Sequence, residues 1–200
     1  MSTCTHRTAV VIIPPREVWA PIQHLRRQFD RQYRRWMPHI TMIYPFRPPS
    51  EFDRLVPVFA PVVAAFPFFD VTLREVYYFR HRNQRYTLWL KPEPAETLVH
   101  LQDAIQRLVP ACNHVQRYPG GFTPHLSIGQ AHGRTHLEQR LQYVRHYWKP
   151  ITFTVTALYF IWRNDPPDDV FRIGCQIPLG ESSLRLTRCI PSENPYYQPE

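Results

Sequence analysis

Pro38-His39-Ile40-Thr41-Met42 and Pro124-His125-Leu126-Ser127-Ile128 are two copies of one pattern: proline, histidine, aliphatic, hydroxyl residue, apolar. The histidines are 86 positions apart, one in each half of a 200-residue chain. Polar and apolar residues alternate in both stretches, which is the period of a strand with one buried face. Each histidine therefore shares a face with the hydroxyl two positions on, while Ile40, Met42, Leu126 and Ile128 point into packing. Pro38 and Pro124 stand where strands begin, the place at which a missing N–H costs least. Two such strands facing each other make a cleft that holds the imidazoles of His39 and His125 and the hydroxyls of Thr41 and Ser127.

Those groups suit one kind of chemistry. Imidazole exchanges protons near neutral pH. Two of them beside a phosphodiester divide the work: one takes a proton from the attacking oxygen and the other gives one to the departing oxygen. The hydroxyls between them hydrogen-bond phosphate oxygens. A single His-x-Thr on a strand is most often an ordinary surface pair; the repetition, each copy with its preceding proline, is what points to a site.

Around the two strands the periodicity alternates between strand and helix. Thr8 to Ile13 is a short β-branched run, closed by Pro14-Pro15. Ile22, Leu25, Phe29, Tyr33 and Trp36 recur at helical spacing and predict a helix from about Arg16 to Trp36, with its arginines off the apolar stripe. The first motif strand ends at Pro45. Ser50 is a candidate cap for a second helix, which Pro57 and Pro61 should shorten or kink. Phe68 to Phe79 and Tyr86 to Leu90 read as a hairpin, and Pro94 to Val109 as a third helix. Tyr118 to Phe122 is a glycine-containing loop leading into the second motif, since three of the six glycines fall between Gly120 and Gly129. Leu137, Leu141, Val144 and Trp148 mark a fourth helix, and Ile151 to Trp162 pairs with Val170 to Ile177. About seven strands and four helices result, and the second half echoes the first. Residues 1–7 read as a tail, 8–178 as one bilobed domain, and 179–200 as a loosely held C-terminal tail.

Composition bounds the rest. Apolar content of 44% and aromatic content of 14% are enough for a core. The formal charge is +8, and 22 of the 24 cationic residues are arginine. Arginine forks onto phosphate and stacks on bases, so an anionic partner fits. Cys4, Cys112, Cys175 and Cys189 form no C-x-x-C pair and no zinc spacing, which reads as reduced thiols in a cytoplasmic protein, with the nucleus as the alternative compartment. No apolar run approaches the ~20 residues of a membrane-spanning helix. Ten histidines raise the question of zinc, but no H-E-x-x-H or converging ligand set accompanies the motifs, so neither metal nor other cofactor is expected.

His39-Ile40-Thr41-Met42 and His125-Leu126-Ser127-Ile128 resemble the paired H-x-[ST]-φ signatures of the 2H phosphoesterases, or 2′-5′ RNA ligase-like superfamily, and Pro38 to Phe46 is similar to that family's first motif. The resemblance spans about residues 8–178. It implies an α+β, bilobed fold, with two pseudo-symmetric antiparallel sheets flanked by helices around a central cleft. It also implies metal-free hydrolysis of 2′,3′-cyclic phosphates or 2′-5′ linkages, with His39 and His125 as the catalytic pair and Thr41 and Ser127 as the phosphate-binding hydroxyls. The partners implied are RNA, an oligonucleotide or a cyclic nucleotide, met by a monomer. Many relatives carry a basic residue shortly after the second motif, where this chain has Gln130; another arginine would have to make that contact. Phe122, Tyr86 and Tyr118 are candidates for stacking on a base. The rival reading is a non-catalytic single-stranded RNA-binding module using the same cleft.

Overall fold

The computed structural model describes residues 4–117, 120–180 and 188–189. Nine strands within them form a single sheet of order β6-β3-β4-β5-β2-β1-β7-β8-β9, with every neighbouring pair antiparallel. The strands are β1 (Thr8–Ile12), β2 (Ile40–Ile43), β3 (Phe69–Arg80), β4 (Arg85–Glu93), β5 (Leu126–His132), β6 (Ile151–Val155), β7 (Ala157–Trp162), β8 (Arg172–Pro178) and β9 (Arg188–Cys189). The helices are α1 (Trp19–Phe29), α2 (Phe52–Ala64), α3 (Ala95–Gln106) and α4 (Arg134–Tyr147). The architecture is α+β, as the sequence predicts. Two half-sheets, β5-β4-β3-β6 and β2-β1-β7-β8, meet edge to edge through one residue pair, Ile40 with Leu126. The motif strands β2 and β5 are thus the two central strands.

The sheet curls back on itself. Ile151 to Trp162, expected as one strand, breaks at the exposed Thr156: β6 pairs with β3 at one end of the sheet, and β7 pairs with β1 in the other half. A single residue spans only ~3.3–3.6 Å, so the two half-sheets must approach each other at this crossing as well as at Ile40 and Leu126. The β3–β4 hairpin follows its local chemistry: Asn83 and Gln84 both take left-handed backbone angles (φ 56° and 50°), the conformation that matches a two-residue turn to the strand twist.

All four helices feed one large core. Ile22 and Leu25 of α1, Phe59 and Val63 of α2, Leu101 and Ile105 of α3, and Leu141 and Val144 of α4 join the inward residues of the strands, including Ile40, Met42, Leu126 and Ile128. A smaller cluster of Ala9, Val11, Met37, Ile161 and Phe171 packs separately, with Trp36 and Tyr44 against it. α2 runs for 13 residues with Pro57 and Pro61 inside it, so the expected shortening does not occur, and the expected cap is corrected because Ser50 makes no side-chain cap. α1 is shorter than its apolar spacing suggests. It stops at Phe29 because Asp30 turns extended and spends its carboxylate on the backbone N–H of Gln32 and on Arg26. Trp36 is thereby freed from the helical stripe.

The expectation of reduced thiols is also corrected. Cys4 bonds to Cys112 across 108 positions, and Cys175 bonds to Cys189 between β8 and β9. Sequence spacing missed them because both pairings depend on tertiary approach. The first closes a loop of about a hundred residues, a constraint worth ~2–4 kcal/mol to a folded chain. With the Thr5–Phe46 bridge it fastens residues 4–7, expected as part of a tail, onto the domain.

One glycine sets how closely α1 approaches the second motif strand. A Cβ on Gly129 would lie 2.4 Å from the Phe29 Cβ and 2.8 Å from its carbonyl oxygen. Backbone cannot yield as a flexible side chain does, so Gly129→Ala should destabilise the fold by ~1–3 kcal/mol. Urea unfolding of the two proteins checks this, and an unchanged midpoint would show that the α1–β5 approach is looser than described.

Candidate active site

The pairing of Ile40 with Leu126 sets the site. Continuing that antiparallel register by one residue in each direction sets His39 opposite Ser127 and Thr41 opposite His125. Directly opposed residues on one face are cross-strand neighbours with Cβ atoms ~4.5–5.5 Å apart. The fold therefore gathers the four motif side chains, each partly open on a face from which Ile40, Met42, Leu126 and Ile128 are turned away into the core.

Both imidazoles are held in the same way. Nδ1 of His39 lies 2.7 Å from the Met37 carbonyl oxygen, and Nδ1 of His125 lies 2.8 Å from that of Thr123. A carbonyl only accepts, so each Nδ1 carries the proton and donates it. Each neutral ring is left with an unprotonated Nε2. The partner is two residues upstream in both cases, so the two halves of the chain repeat this detail.

The rings rest on aromatic supports. His39 stacks on Trp36 (4.6 Å between centroids, 17° between planes), and Trp36 stacks in turn on Phe171 at 3.7 Å, with Tyr44 edge-on at 5.5 Å. His125 meets Phe79 edge-on at 5.0 Å and lies 6.0 Å from Trp89. Tyr77, Trp89 and Phe79 form a continuous stack on the same face of β3 and β4. Trp36 and Phe79 were missed as site residues. The signal for Phe79 lay in the alternation of β3, whereas Trp36 was masked by its helical spacing from Phe29 and Tyr33. Tyr86 is corrected: it is 6% exposed and belongs to the core, because it sits one position out of phase with Trp89 and Thr87. Phe122 is partly buried, with one side packed against the same core. Tyr118 lies outside the described residues.

Electrostatics bias both rings toward the neutral form. Burial is the main cause that pushes His39 down to about 4, aided by the positive charge of Arg26 and by His125 and opposed by the Met37 hydrogen bond and Asp30. Burial also lowers His125, against the Thr123 hydrogen bond. Arg26 is 1% exposed and is neutralised by a buried pair with Asp30 (2.9 Å). Asp30 also accepts from the Gln130 amide at 2.9 Å, and the Gln130 carbonyl accepts from the backbone N–H of Arg31 at 3.0 Å. Gln130 thus ties the end of α1 to β5 and brings no charge to the cleft.

The description "2′-5′ RNA ligase superfamily" belongs to the family model that matches residues 14–167. Among solved structures, the chain is similar to TT0787 of Thermus thermophilus (18% identity, TM-score 0.60, covering 88% of this chain and 99% of that one). It is also similar to E. coli LigT complexed with 3′-AMP (16% identity, TM-score 0.59, covering 87% and 98%). LigT has further been solved with ATP, NADP+ and phosphate. No curated protein sequence matches the chain. At these identities the solved structures speak to the fold.

The lowered His39 value has a consequence for stability. Unfolded, the ring takes a proton near its ordinary pKa of 6.5; folded, it resists until about 4. Stability from this group is therefore full above 6.5 and is lost as pH falls through that window. His39→Asn should melt with a shallower loss on acidification over that range than the parent protein does. Parallel melting curves would mean that the His39 pKa is ordinary.

Proposed function

We propose that this chain, which belongs to the 2′-5′ RNA ligase superfamily, is a metal-independent phosphodiesterase whose two histidines hydrolyse a 2′,3′-cyclic phosphate or a 2′-5′ linkage of RNA or a nucleotide. The observation that carries this reading is the mirrored Nδ1–carbonyl locking of His39 and His125, which leaves two Nε2 atoms to face one phosphate. Thr41 and Ser127, set between them, hydrogen-bond its non-bridging oxygens. The nucleotide complexes of LigT agree with a nucleotide substrate.

The roles follow from the charges. His39 is pushed down by burial, by Arg26 and by His125, so it is the neutral ring and acts as the base. Its Nε2 takes a proton from water as the water oxygen bonds to phosphorus. His125, charged when the phosphate anion is present, gives its Nε2 proton to the departing ribose oxygen as the P–O bond breaks. The products are a phosphomonoester and a free hydroxyl, and the proton taken up by His39 returns to solvent. The half-buried Phe79 ring beside His125 offers the nucleobase a face, and such stacking is worth ~1–3 kcal/mol per base.

His39→Ala and His125→Ala should each lower turnover of 2′,3′-cyclic AMP by at least ~10²-fold, the usual scale for a lost acid or base, with EDTA leaving the parent activity intact. Near-normal turnover in either variant removes the assignment.

The profile of kcat/KM against pH should be a bell lying to the acid side of the ordinary histidine value. Activity falls below about 4 as His39 gains a proton, and it falls again as pH rises past the lowered pKa of His125. A flat profile, or a bell centred well above 6.5, contradicts the two-histidine scheme.

A further inference from the structure

Beyond Ser127, β5 runs on into a second, strongly cationic concavity. A cavity of about 600 Å³ lies at the far end of the strand, lined by Arg27, Arg31, Arg85, Arg140, His132 and His136, together with Gln130 and Asp30. A bulge in β5 turns two of the cavity's lining residues, Gln130 and His132, onto the face that carries Ser127. Trp89 pairs with Ser127, whereas Leu88 pairs with Gly129 and Thr87 with Gln130. One extra residue, Ile128, is thus absorbed between the two registers, and Ser127, Gln130 and His132 fall on one face opposite Trp89, Thr87 and Arg85. Gln130 follows Ser127 by about 10 Å of strand at ~3.3 Å per residue.

Three of the four arginines there carry uncompensated charge. Asp30 is the one carboxylate in the lining, and its two oxygens are taken up by Arg26, Gln130 and the Gln32 N–H. Among the described residues, Arg31, Arg85 and Arg140 make no ion pair. Arg140, half-buried over the Phe29 ring, has its pKa pushed down by burial and by the charge of Arg31. Guanidinium groups crowded together in a concave, partly desolvated site gain from a multivalent oxyanion that accepts from several at once.

We propose that this cavity is a subsite for a second phosphate of the substrate, so that the enzyme prefers an oligonucleotide with a phosphodiester beyond the reacting one over a mononucleotide. The inference rests on the phosphodiesterase reading for the reacting phosphate, but not for the binding it predicts. Gln130, held by Asp30 and the Arg31 N–H, supplies no cation next to the catalytic hydroxyl. The positive charge instead stands one step along the strand, where the next phosphate of a bound strand arrives.

Two readouts on the full chain test this. The first is kcat/KM for a cyclic-phosphate-terminated tetranucleotide and for the corresponding cyclic mononucleotide. The second is anisotropy of a fluorescein-labelled tetranucleotide lacking the cyclic phosphate, which needs no turnover. Arg31→Gln/Arg85→Gln, two exposed positions, should weaken tetranucleotide binding about tenfold. It should also reduce the log–log salt slope by ~0.7 per lost phosphate contact. Arg31→Lys/Arg85→Lys should keep most of the slope, and the preference for the longer substrate should collapse in the Gln variant only. Equal use of both substrates by the parent, or equal binding by the Gln variant and the parent, overturns the subsite even if hydrolysis is robust. Binding lost in the Gln variant, with no hydrolysis by any form, keeps the subsite and removes the phosphodiesterase reading.

Discussion

The structure depends on one backbone pairing. Ile40 opposite Leu126 joins two half-sheets, each of which takes two strands from the first half of the chain and two from the second. Because side chains alternate along a strand, fixing that pair fixes the facing of every neighbour: the aliphatic partners go to the core, and His39, Thr41, His125 and Ser127 go to the opposite face. A slip of one residue would exchange the two sets, burying imidazoles and exposing Ile40 and Leu126. Several constraints defend the register. Gly129 admits Phe29 of α1, Gln130 is tied to Asp30 and Arg31, and the Thr156 crossing draws the half-sheets together a second time.

The buried Arg26–Asp30 pair serves this geometry more than stability. A fully desolvated ion pair recovers little net free energy, but removing one partner leaves an uncompensated charge. Here the pair ends α1, anchors Gln130 and keeps a positive charge close enough to His39 to help hold that ring neutral. The difference between a resting imidazole and one ready to accept a proton is thus written partly into a buried ion pair at a helix terminus.

How much of this could be read from the sequence depends on the range of the interaction. The motif strands, the β3–β4 hairpin and the helices around Leu101 and Leu141 were legible, because period-2 and period-3.6 patterns are local. The end of α1 at Phe29 was not, because Tyr33 and Trp36 continue the apolar spacing by coincidence while Asp30 stops the helix through its own carboxylate. The break at Thr156 and both disulfides escaped for a similar reason: each is decided by which distant strand lies alongside. In the candidate site, the histidines and hydroxyls announced themselves by repetition. The assignment of Tyr86 failed because phase within β4 decides which face a ring joins, and Tyr86 and Trp89 fall on opposite faces.

The central claim is that His39 and His125 are matched neutral rings that share one phosphate through Nε2. Long-range nitrogen–proton NMR of the histidines, recorded with and without a nucleoside 2′-monophosphate, tests it most directly. The account predicts that at neutral pH both rings carry their proton on Nδ1, and that the ligand perturbs both Nε2 resonances and protonates one of them. A proton on Nε2 of either free ring, or a ligand that leaves one of the two rings unmoved, would contradict it.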